Sequence, residues 1–197
     1  MVETNGHFPG KKILHGAVNV IEGEYISHWE MSGAIYHVAL HLADSVPTKE
    51  LLSWREARKR GDTDLRTLYT ERIERYLSSG HGLCPLKSPA IANPLLAILE
   101  RDNGICYDLH AITIMPNHVH VVVSPIIGQS LKRTVDQWKS VSAHMISRQS
   151  EMKRPVWHKD FYSRIIRTPE EYARQIRYVW HNPTAAGLTA GFLRKRY

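Results

Sequence analysis

Ala111-Ile112-Thr113-Ile114-Met115-Pro116-Asn117-His118-Val119-His120-Val121-Val122-Val123 holds two apolar, β-branched runs on either side of a Pro-Asn turn. A connection this short makes the two runs antiparallel neighbours in a sheet. Side chains alternate across a strand, so His118 and His120 share one face while Val119, Val121 and Val123 share the other. The valines predict a buried face. The two imidazoles, side by side on the opposite face, can hold a divalent ion through one nitrogen each. A strand with two solvated histidines has the same pattern, and the rest of the chain has to separate the two readings.

Working outward, Ala34 to Leu42 reads as a strand with Ile35, His37, Ala39 and His41 on one face and Tyr36, Val38, Leu40 and Leu42 on the core face. Residues 48–77 read as helical with a break at Gly61-Asp62. A helix over 92–101 follows, with Pro94 in its first turn. Residues 104–115 and 118–124 are the two strands of the opening stretch. Residues 130–148 form a helix whose stripe is Leu131, Val135, Trp138, Val141 and Met145. Asp160 to Arg167 supplies a fourth strand. The last helix has Thr168 as N-cap, Pro169 in the first position and Glu171 where a capping-box carboxylate belongs. Pro183 disfavours helix in the residue before it, which predicts an end near Asn182. This order resembles a split βαβ, ferredoxin-like or RRM-like α+β fold. It predicts an antiparallel sheet of four to five strands, with helices mainly on one face and the other face partly open.

Hydrophobic residues make up 43% of the chain and charged residues 23%, enough for a real core. No run reaches the roughly 18 apolar residues of a membrane span. The first residues, with Glu3, Asn5 and His7, lack a signal-peptide pattern. Cys84 and Cys106 are too few for a disulfide framework, and the expected setting is the cytoplasm. The net charge of +7 is lopsided: residues 1–128 carry 12 Lys/Arg and 14 Asp/Glu, a net of −2, and residues 129–197 carry 14 and 5, a net of +9. A basic final third beside a near-neutral remainder is the footprint of a polyanion partner.

On the last helix Tyr178 and Asn182 lie four apart and share a face. Tyr178 is well away from the centre of the buried stripe of Tyr172, Ile176 and Val179, so its phenol can reach out beside the sheet. Asn182 can offer a carbonyl oxygen as a third metal ligand. Packing, or a hydrogen bond, is the competing role for such a tyrosine.

Met115 to His120, Phe161-Tyr162-Ser163-Arg164-Ile165-Ile166-Arg167 and Arg177-Tyr178-Val179-Trp180-His181-Asn182-Pro183-Thr184-Ala185-Ala186-Gly187-Leu188 fall in order at suitable spacing. Together they resemble the single-tyrosine HUH transposases, in particular the REP-associated tyrosine transposases. HUH stands for histidine, hydrophobic residue, histidine: here His118, Val119 and His120. The likeness covers about residues 33–190 as the transposase domain. It leaves 1–32 as an extension with a peripheral strand and 191–197 as a basic tail.

The resemblance implies an endonuclease and strand transferase acting on single-stranded DNA at or near hairpins. It implies Mg²⁺ or Mn²⁺ held by His118 and His120, with Asn182 at the family's third polar position. Asn in that place is short and neutral. Tyr178 would be the nucleophile, leaving a 5′-phosphotyrosine link and a free 3′-hydroxyl. Lys132, Lys139, Arg164, Arg167, Arg174 and Arg177 are candidate phosphate contacts, each competing with a plain solvated charge. The expected location is at the nucleoid, with no membrane partner, and both a monomer and a homodimer are open. Against many relatives the resemblance implies a longer N-terminus and no long tail after Leu188, so the additional DNA contacts that such tails make are expected to be missing. The rivals are an RNA-binding module of the same fold, a domesticated relative that binds hairpins without cutting, and a zinc hydrolase using His37 or His41 as a third ligand.

Overall fold

The computed structural model describes residues 18–23, 27–60 and 73–197. The expected break at Gly61-Asp62 lies outside them. The strands are β1 (Asn19–Ile21), β2 (His28–Glu30), β3 (Ile35–His41), β4 (Tyr107–Ile114), β5 (His118–Pro125), β6 (Tyr162–Ile166) and β7 (Leu193–Arg196). The helices are α1 (Thr48–Lys59), α2 (Pro89–Glu100), α3 (Leu131–Gln149) and α4 (Pro169–Ala185), with residues 73–78 also helical. β1 and β2 pair by themselves, in the region where the sequence suggests a peripheral strand.

The main sheet has five strands in the order β6-β3-β5-β4-β7, with every neighbouring pair antiparallel. This is the α+β sheet the sequence implies. Residues 193–196, which sequence places in a tail, form its edge strand. No apolar alternation marks Leu193-Arg194-Lys195-Arg196. The strand is instead held by Lys195 on Glu100 (2.5 Å) and by the guanidinium groups of Arg194 and Arg196, 4.2 and 4.4 Å from the Trp180 ring centre.

One sheet face is the core. Tyr36, Val38, Leu40, Ile112, Ile114, Val119, Val121 and Val123 pack there against Leu95 and Leu99 of α2 and Leu131, Val135 and Trp138 of α3. The α3 stripe departs from expectation beyond Trp138. Val141 is 38% exposed, and Ser142 and Ile146 are the buried residues one and two turns on. Ser142 tolerates burial because its hydroxyl donates to the Trp138 carbonyl (2.6 Å) and accepts from Trp157 Nε1 (2.9 Å).

The second face, expected to be partly open, carries helical cover as well. α4 crosses it, with Val179 buried on Ile35, Ala111, Val122 and Ile166, and Tyr172, Ile176 and Tyr178 packed alongside. Residues 73–78 cover another part, with Ile73 and Leu77 against Val46 and Tyr162.

Two prolines depart from their expected places. α2 begins at Pro89, so Pro94 is interior. α4 runs past Pro183 to Ala185 and ends where Gly187 (φ +72°) closes a Schellman turn, with Leu188 N donating to Pro183 O (2.8 Å). Pro183 cannot donate to the carbonyl four residues back, that of Val179. Thr113 Oγ1 of β4 donates to it instead, at 2.6 Å.

Candidate active site

β5 is the central strand, and its register fixes the site. His118 lies opposite His41 of β3, and His120 lies between Ala39 of β3 and Thr113 of β4. His118 is 1% exposed and His120 2%, so these are not solvated histidines.

Their nitrogens are ordered by the turn before them. Asn117 Nδ2 donates to the His81 carbonyl (2.9 Å), which turns its Oδ1 toward His118 Nδ1 (2.8 Å). His118 therefore carries its proton on Nδ1 and presents the Nε2 lone pair. That nitrogen faces His120 Nε2 at 3.1 Å. The other nitrogen of His120, Nδ1, meets His37 Nε2 at 3.0 Å. Burial holds His118 and His37 well below the ordinary imidazole value and brings His120 down to about 4. All three are neutral at pH 7, the state in which imidazole ligates a metal.

Tyr178 of α4 closes the group. Its ring centre is 5.5 Å from that of His120 and 5.5 Å from that of His37, edge-on to both. Its hydroxyl donates to Glu74 Oε1 at 2.7 Å. Burial raises the phenol well above its usual value, the Glu74 hydrogen bond and charge and nearby Tyr162 add to the rise, and a side-chain hydrogen bond with Asn182 opposes it. Asn182 thus bears on the phenol. Sequence places Tyr178 away from the buried stripe, whereas the structure packs it half-buried at the edge of that cluster.

The chemistry of this donor set fits a divalent ion. Two nitrogens bound at right angles to one cation at about 2.1 Å lie about 3 Å apart, close to the 3.1 Å between His118 and His120. Among the described residues no group of three or more His, Cys, Asp or Glu side chains surrounds a metal position. Neutral nitrogen donors favour Mn²⁺ over Mg²⁺.

The basic residues proposed from sequence are dispersed. Lys139 donates to the Lys159 carbonyl (2.7 Å), and burial lowers its ammonium to about 8. Lys132 pairs with Asp136 (2.5 Å), and Arg164 pairs with Glu171. The backbone of Arg167 donates to Glu171 Oε2 (2.8 Å), while its side chain is exposed. Arg174 and Arg177 are exposed on α4, the helix that carries Tyr178.

Sequence reasoning gave no role to Asn117 or Glu74 and named His37 only as a third ligand in a rival zinc reading. Asn117 reads as a turn residue, and its orienting role follows only from the fold. His37 shares a strand face with His41, a weak signal. Glu74 carries no signal, since it sits in a charged helical stretch 104 residues from its partner.

The fold and this cluster define a class: a five-stranded antiparallel sheet with paired imidazoles on one face and a helix-borne tyrosine against them. Residues 96–178 match the family described as "Transposase IS200 like". A solved structure of a REP-associated tyrosine transposase bound to a REP hairpin is similar over 84% of this chain and 75% of its own, with 16% identity and a TM-score of 0.50. At that identity the likeness concerns the fold. No curated protein matches the chain. The likeness to the IS200-like transposases spans residues 96–178, the stretch that holds His118, His120 and Tyr178.

Proposed function

We propose that this protein is a metal-dependent endonuclease and strand transferase for single-stranded DNA, acting at or near hairpins, with Tyr178 as nucleophile. The reading rests on one observation above all, the convergence of Tyr178 on His120 from a separate element, with ring centres 5.5 Å apart. The match of residues 96–178 to the IS200-like transposases supports it. The hairpin carried by the structural relative named above suggests the substrate class.

His118 and His120 are the proposed ligands, with Asn182 as the third, and Mn²⁺ or Mg²⁺ as the ion. A cation so placed polarises a non-bridging phosphate oxygen and offsets charge that develops there. Holding it needs both Nε2 lone pairs, so His120 then carries its proton on Nδ1 and donates to His37. The Tyr178 oxygen attacks phosphorus, the bond to the 3′ oxygen breaks, and the phosphate is left on the phenol. That link keeps the bond's energy available to a second 3′-hydroxyl, which makes the chemistry transfer rather than digestion. Arg174 and Arg177, exposed on the same helix, are the proposed phosphate contacts nearest in sequence to the nucleophile.

The test is cleavage of matched DNA and RNA hairpins with flanking single strands, with Mn²⁺ and with chelator. Mn²⁺-dependent cutting of DNA alone is expected. Binding without cutting would favour a domesticated relative, and cutting of RNA would favour a different nuclease.

A further inference from the structure

Glu74 lies on the helical segment 73–78, over the same sheet face as the histidines. It helps wall a small pocket with Leu77 and Tyr162 above His37, Ala39 and His120. Its Oε1 accepts the Tyr178 hydroxyl hydrogen bond at 2.7 Å. The other groups around that hydroxyl are poorly suited to take its proton. The His37 and His120 rings meet the phenol edge-on, and His120 spends both nitrogens on His37 and His118. Asn182 is an amide and neither gives nor takes a proton at neutral pH.

We propose that Glu74 is a catalytic residue: its carboxylate aims the Tyr178 hydroxyl and accepts its proton as the oxygen bonds to phosphorus. This rests on Tyr178 being the nucleophile. In the step the Tyr178 O–H bond breaks and the proton passes to Glu74 Oε1. The freed electron pair forms the O–P bond. The bond from phosphorus to the 3′ oxygen breaks, and that oxygen leaves with its pair and is protonated by water. Glu74 then gives its proton to the hydroxide this produces, or back to the phenol when a 3′-hydroxyl reverses the step. A phenol whose proton is already directed at a carboxylate needs no reorganisation to lose it, the circumstance in which a positioned base contributes about 10²–10⁴-fold.

The test is single-turnover formation of the covalent adduct on a hairpin DNA with Mn²⁺, comparing wild type, Tyr178→Phe, Glu74→Gln and Glu74→Ala, the last with and without added acetate. Glu74 is exposed, so the substitutions leave the core intact. We expect Glu74→Gln to slow the adduct at least about 100-fold with DNA affinity unchanged, and acetate to restore part of the rate to Glu74→Ala. A Glu74→Gln rate near that of wild type overturns the proposal, and so does a faster one, which would make the contact a latch. In either case an adduct that depends on Tyr178 leaves the transposase reading standing. A wild type that forms no adduct sinks both.

Discussion

Thr113 Oγ1 donates a 2.6 Å hydrogen bond to the Val179 carbonyl, the one that Pro183 leaves without a helical donor. This links the strand beside His120 to the residue after Tyr178. Helix α4 keeps its last turn, and with it Asn182 stays one turn beyond the phenol. Thr113→Val removes the donor at nearly constant shape. It should cost about 1–3 kcal/mol, the range for orphaning a buried acceptor. In a Pro183→Ala background the helix supplies its own donor, and the cost should shrink. A double-mutant cycle by urea denaturation measures the difference; equal costs in the two backgrounds would contradict the linkage.

Asn117 fixes which His118 nitrogen faces the site. Asn117→Ala should weaken Mn²⁺ affinity about 10–100-fold, the usual effect of losing a residue that orients a ligand. His118→Ala and His120→Ala should abolish specific binding. Isothermal titration calorimetry distinguishes these, and unchanged affinity in all three variants would remove the histidines from any metal role.

His110 offers a stability test away from the proposed ligands. It sits at the register shift of β4, with Nε2 2.6 Å from Ser124 Oγ, and burial lowers it to about 4 from its ordinary 6.5. The folded state favours the neutral ring, so this contribution is whole above pH 6.5 and is lost as pH falls toward 4. Between about pH 7.5 and about pH 5, wild type should lose about 2 kcal/mol more than His110→Gln. Parallel losses by urea denaturation would contradict the assignment.

Arg174 and Arg177 are exposed on the helix that carries Tyr178. Each Ala substitution should lower the slope of log affinity against log salt by about 1 for hairpin DNA, with little change in sequence preference. An unchanged slope would place the phosphates elsewhere on the basic third of the chain.

Much of the architecture is legible where local chemistry and burial agree. The Pro116-Asn117 turn, the valines behind His118 and His120, and the Thr168 cap on Glu171 N (3.2 Å) all follow from short-range pattern. Even there the Glu171 carboxylate reaches Arg167 N rather than closing the expected box on the N-cap. Pro183 misleads because its broken hydrogen bond is mended from another strand. β7 is unreadable because cations stacked on Trp180, and not apolar alternation, hold it. Glu74 meets Tyr178 only through the fold. The histidine face reads as partly open because periodicity in β5 says nothing of what α4 and residues 73–78 lay over it.

The most direct measurement is the intact mass of the protein after incubation with a single-stranded DNA hairpin and Mn²⁺, followed by peptide mapping. The account predicts a mass increase equal to a 5′-phosphorylated DNA fragment, carried on the peptide containing Tyr178 and absent from Tyr178→Phe. An adduct on another residue, or one that persists in that variant, would contradict it.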